Sequence, residues 1–93
     1  MNAHTERLLS RITESLSQYR SGELSLLKLS EDVEAVASAI DEPAASCLRV
    51  EFEKFCYMVE MIEYATSDRD VPLRTDEAIA YLSRLLLPGG TGS

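Results

Sequence analysis

The chain has 93 residues, 45% of them hydrophobic, and a net charge of −7. That is one globular domain, too short for two and too apolar to stay disordered. No apolar run approaches the roughly 18 residues a membrane span needs, and Met1–Arg11 lacks the apolar centre of a signal peptide. A cytoplasmic location is therefore expected, with no membrane partner. The charge is unevenly placed: residues 1–22 sum to +1, residues 23–63 to −7 and residues 64–93 to −1. Such a field repels nucleic acid and attracts basic partners, so direct nucleic-acid binding is not expected.

In chain order, the first helix is expected over about residues 3–19. Leu8, Ile12, Leu16 and Tyr19 share a face there, and Ser21-Gly22 ends it. A second helix, about 25–40, carries Leu26, Leu29, Val33, Val36 and Ile40 as a core stripe. Its opposite side holds Glu31, Glu34, Ser38 and Asp41, with Asp32 at the edge between the two faces. Asp41 and Pro43 predict a capped restart and a third helix over about 42–67. Ser67–Pro72 reads as a turn-rich connector, and Thr75 with Asp76 and Glu77 as the capped start of a fourth helix over about 75–87. Ile79, Leu82, Leu85 and Leu86 would form its buried side, and Pro88-Gly89-Gly90 would end it. The fold class expected is all-α, an antiparallel four-helix bundle over residues 1–87, followed by a disordered tail at 88–93.

The third helix carries two apolar stripes. Leu48, Phe52, Phe55, Val59 and Ile62 recur at spacings of 4, 3, 4 and 3 and suit the core. Nearly opposite lie Val50, Tyr57, Met61 and Tyr64, flanked by Glu53 and Glu60. A helix in a small bundle buries one face, so this second stripe either lies under the connector and fourth helix or awaits a partner. Tyrosines among carboxylates make a sound recognition surface. The rings supply apolar area at low entropic cost, and the acids steer a cation.

Catalysis finds little support. His4 is the single histidine and glycine is confined to Gly22 and the tail, so neither a histidine-rich metal site nor a phosphate loop is expected. Glu60 and Glu63 lie one turn apart but lack histidine co-ligands. Cys47 and Cys56, nine residues apart, would be roughly 13–14 Å apart along one helix, too far to form a disulfide. They read as free buried thiols. No cofactor, no metal and no enzymatic activity are expected.

The segment Tyr19-Arg20-Ser21-Gly22-Glu23-Leu24-Ser25, then Leu29, Asp32-Val33-Glu34 and Glu60-Met61-Ile62-Glu63-Tyr64-Ala65, resembles small helical bacterial immunity proteins. Those of contact-dependent growth inhibition systems and related polymorphic toxins are the likeness, over about residues 15–86. The resemblance implies an acidic helical protein that binds a cognate toxin domain, often a nuclease, and blocks it. It also implies contact positions at Asp32, Glu34, Glu60, Glu63 and Tyr64. Such proteins are associated with a tryptophan in the third helix. This chain has none, and Phe52 or Phe55 would take that packing place. The expected site is thus Tyr57, Met61 and Tyr64 as apolar anchors with Glu31, Asp32, Glu34, Glu53, Glu60 and Glu63 around them. The expected partner is a basic protein toxin domain. The alternatives are a homodimer or other homo-oligomeric helical adaptor, and a small regulatory subunit docking on a larger enzyme.

Overall fold

A computed structural model describes residues 3–86; the tail expected at 88–93 lies outside them. Four helices follow one another, α1 (Ala3–Arg20), α2 (Leu26–Ala39), α3 (Ser46–Ala65) and α4 (Val71–Leu86), with a 3-10 turn at Pro43–Ala45 before α3. No strand occurs among the described residues, and the bundle measures 41 × 25 × 24 Å.

The first junction forms as its sequence predicts. Gly22 takes a φ of 86°, a conformation that costs a residue with a Cβ. Its N–H bonds the Tyr19 carbonyl at 3.1 Å, and the Glu23 N–H bonds the Gln18 carbonyl at 2.8 Å. This pairing closes a helix end by satisfying carbonyls that have no partner within the helix. Ser25 then caps α2, its Oγ accepting the Lys28 N–H at 3.1 Å.

The later junctions differ from expectation. The third helix does not begin at residue 42. Pro43 instead opens the 3-10 turn, and Ala45, with φ −103° and ψ 10°, stands as the N-cap of α3 without a side-chain cap. No side chain caps the 3-10 turn either, so Asp41 does not play its expected role. Its neighbour Glu42 reaches α1, where Oε1 accepts the Thr5 hydroxyl at 2.9 Å. The fourth helix begins at Val71, four residues before Thr75, which lies inside it. Ser67 and Asp70 make the start. The Asp70 N–H bonds the Ser67 carbonyl and the Asp70 carbonyl accepts the Arg74 N–H, both at 2.9 Å. Pro72 fits the first turn because no helical hydrogen bond is asked of its nitrogen.

Consecutive helices pack in chain order, α1 on α2, α2 on α3 and α3 on α4. Thr5 to Glu42 and Ser15 to Asp32 match the start of α1 with the end of α2, an antiparallel pairing. Leu8, Ile12 and Leu16 from α1, then Leu29, Val33, Val36 and Ile40, enter the core. Phe52, Phe55, Val59 and Ile62 of α3 join them, with Ala78 and Leu82 of α4. Leu26, Leu48, Ile79, Leu85 and Leu86 pack at the margin, half-buried. The Arg20 guanidinium donates to Ser83 Oγ at 2.6 Å, linking α1 to α4. The Tyr81 hydroxyl donates to Glu51 Oε2, linking α4 to α3. Burial and then that bond push the Tyr81 hydroxyl up to about 12, while the same bond, with help from Lys54, lowers the Glu51 carboxyl.

Candidate protein-binding site

The second stripe of α3 stays largely open to solvent, outside the core. Tyr64 is 81% exposed, Tyr57 61%, Val50 50% and Met61 41%. Neither the connector nor α4 covers them, although Phe52 and Phe55 on the inner side are fully buried. Uncovered aromatic and apolar side chains aligned on one helix face are an unused contact surface.

Tyr57 and Tyr64 border a groove of about 410 Å³ between α2 and α3. From α2 come Leu27, Ser30, Glu31 and Glu34; from α3 come Glu53, Glu60 and Glu63 beside the tyrosines, with Cys56 and Val59 also lining it. Two helical periodicities make this wall: Glu31 and Glu34 are one turn apart on α2, as Glu60 and Glu63 are on α3. Five carboxylates thus line one concavity, which no lysine or arginine lines. The ion pairs among the described residues, Lys28–Asp32, Lys54–Glu51 and Arg74–Glu77, involve none of the five. A cationic group entering the groove would find carboxylates that no ion pair occupies.

Cys56 lines the groove half-buried, its thiol donating to the Ser30 carbonyl at 3.6 Å. Burial pushes its pKa up, the Ser30 side chain opposes this, and Glu34 and Glu53 push it further. It is held as the thiol, the unreactive form. Cys47, expected to be buried, is exposed because it precedes the inward-facing Leu48 on α3. Among the described residues no three side chains of His, Cys, Asp or Glu are placed to hold a metal ion.

Seven of the nine expected site residues line this groove: Glu31, Glu34, Glu53, Tyr57, Glu60, Glu63 and Tyr64. Asp32 does not. One residue beyond Glu31 is a 100° turn around the helix, and it carries Asp32 to the α1 side. There it accepts the Ser15 hydroxyl at 3.0 Å and pairs with Lys28 at 3.4 Å. Met61 faces a second groove, of about 260 Å³, between α3 and α4, with Met58, Ile62, Thr66, Arg74 and Glu77. Tyr57 lines both grooves and forms the ridge between them. Charge in the second groove is balanced, since Arg74 bonds Glu77 at 2.8 Å. Leu27, 48% exposed, is the apolar member that sequence reasoning missed. It stands one residue off the core stripe, and its only signal was being a leucine outside that stripe.

Compared with protein-family models, with curated proteins and with solved structures, the chain matches none. Among the described residues no helix is long and apolar enough to cross a membrane.

Proposed function

We propose that this chain is a non-enzymatic inhibitor that binds and neutralises a basic, nuclease-type toxin domain by stoichiometric occlusion, as the resemblance to bacterial immunity proteins implies. The observation that supports this most is the α2/α3 groove, where five glutamates without a cation meet exposed Tyr57, Tyr64 and Leu27. A nuclease domain must hold phosphate, so its working surface is basic. An acidic groove with apolar edges can cover such a surface. Carboxylates accelerate encounter, and buried ring area slows release.

Self-association through the α3 stripe is the second reading, and the exposed stripe favours it. Charge opposes it on this face. A two-fold interface centred on the groove would face two sets of five glutamates across one seam.

The test is capture from the source cells on immobilised wild-type chain and on Glu34→Lys/Glu60→Lys chain. The reading predicts a basic domain held by wild type alone. That domain should arrest growth when expressed by itself and be tolerated when the wild-type chain is co-expressed. A captured domain that is harmless alone, or whose toxicity co-expression does not relieve, refutes inhibition. Recovery of this chain alone, with a monomeric Tyr57→Ala/Tyr64→Ala variant, would establish self-association.

A further inference from the structure

We infer that the partner element seated in the α2/α3 groove is an amphipathic basic helix, lying along α3 with arginine or lysine toward the glutamates and apolar side chains over Tyr57, Tyr64 and Leu27. This rests on the proposed reading of the groove as a binding site, and it adds what kind of segment enters.

The first reason is backbone chemistry. The groove is walled by two regular helices, Leu26–Ala39 and Ser46–Ala65, whose interior N–H and C=O groups are already bonded within each helix. An extended segment entering here would find no main-chain ladder to join, and only its N–H groups could be met, by the carboxylates. A helix brings its backbone already satisfied. Docking into a groove between helices is a mode that side chains alone can sustain.

The second reason is the arrangement of the walls. From Glu53 to Tyr64 the α3 wall runs about 16 Å, roughly three turns at 1.5 Å per residue. The apolar groups sit among the acids, not apart from them: Tyr57 and Tyr64 on α3 and Leu27 on α2, with Glu53, Glu60 and Glu63 between and beside them. A helix with an apolar stripe and flanking cations matches that alternation. A guanidinium can also stack on an exposed tyrosine ring while bonding a neighbouring carboxylate. A flexible polycation would use the carboxylates and leave the rings and Leu27 bare.

The third reason disfavours a second copy of this chain docking groove to groove. A copy docking through the same groove would bring its own glutamates, and the repulsion would grow with every one brought near. Charge complementarity therefore selects a cationic helix from another protein.

The experiment uses the full chain and defined probes. A lactam-stapled peptide of about 16 residues, helical over about 24 Å, carries a leucine stripe flanked by arginines. Its controls are a stapled scramble of the same composition and spermine. Binding is followed by fluorescence anisotropy, by competition for spermine, and by amide chemical shifts of the protein. The amphipathic peptide should bind about tenfold or more tighter than the scramble, equivalent to roughly 1.4 kcal/mol. Its shifts should centre on Leu27, Glu31, Glu34, Glu53, Tyr57 and Glu60. Glu34→Gln/Glu60→Gln should weaken it and flatten its salt dependence, whereas Tyr57→Ala should weaken it with the salt dependence retained. Equal binding of the scramble or of spermine, or shifts on another face, overturns the inference. The two readings also fail separately. A captured toxin whose contact with this groove is a loop or strand removes the helix and leaves inhibition standing. A captured helical partner that is not toxic leaves the helix standing and removes inhibition.

Discussion

The two faces of α3 show the same kinds of residue put to opposite uses. On the inner face Phe52, Phe55, Val59 and Ile62 are buried against the other helices. On the outer face Val50, Tyr57, Met61 and Tyr64 stand open to solvent, and glutamates crowd around them. Both stripes have helical spacing, so periodicity alone does not separate them. What separates them is chemistry: hydrocarbon and phenyl rings alone inside, and phenols and carboxylates beside Val50 and Met61 outside. The inner face makes the fold stable, while the outer face leaves apolar and acidic side chains in solvent.

The sharpest way to break this comparison is to truncate each face and measure unfolding in urea. Phe55→Ala on the inner face should cost about 3–5 kcal/mol, a large part of the roughly 5–15 kcal/mol available to a domain. Tyr64→Ala on the outer face should change stability by no more than about 0.5 kcal/mol. A comparable loss for both would mean that Tyr64 is a fold residue.

Asp32 sharpens the boundary of the site. Removing it leaves the Ser15 hydroxyl without its partner and Lys28 without its ion pair, so Asp32→Ala should cost on the order of 1 kcal/mol. Partner capture should be unaffected, because Asp32 lies on the α1 side. Lost capture with unchanged stability would move the site toward α1.

A smaller effect distinguishes acids kept for binding from acids kept for folding. Neutralising Glu34 and Glu60 to glutamine removes like-charge neighbours at Glu31 and Glu63. At low salt this should raise stability by a few tenths of a kcal/mol, and the gain should fade at high salt as the charges are screened. A loss of stability at low salt would show that these carboxylates support the bundle.

Smallest is a kinetic contrast between the thiols. Alkylation at pH 7 to 8 should label exposed Cys47 well before Cys56, which is half-buried and held protonated by burial and by Glu34 and Glu53. Because its pKa is raised, the thiolate fraction of Cys56 at any given pH is below that of an ordinary thiol, and its rate should rise only at higher pH. Mass spectrometry of partly labelled protein reads the order directly. Glu34→Gln or Glu53→Gln should speed Cys56 slightly.

Much of this architecture is legible in residue spacing. The stripes Leu8–Ile12–Leu16–Tyr19 and Leu26–Leu29–Val33–Val36–Ile40 predict buried faces, and all but Tyr19 and Leu26, half-buried at the stripe ends, are buried. Gly22 predicts the end of α1 through its conformational freedom, while Ser25, expected as the first residue of α2, stands just before it as the N-cap. The other junctions are harder to read. Pro72 carries two opposite meanings, loop residue or first-turn residue, and the Ser67–Asp70 turn decides between them. Asp41 is a plausible cap by type, yet no side chain caps the turn, and Glu42 serves a tertiary contact to Thr5 that no local pattern announces. The site is legible as a helix face but not as a groove. Its α3 wall follows from spacing alone, whereas the α2 wall depends on how α2 is rotated against α3. That rotation brings Leu27 and Glu31 in and sends Asp32 to α1.

The most direct measurement pairs partner capture with thermal unfolding of the Tyr57→Ala/Tyr64→Ala variant beside the wild type. If the outer face of α3 exists to bind a basic partner, the melting temperature should stay within about 2–4 °C, and the basic domain that wild type captures should be lost. A markedly lower melting temperature, or capture that persists at wild-type strength, would contradict that claim.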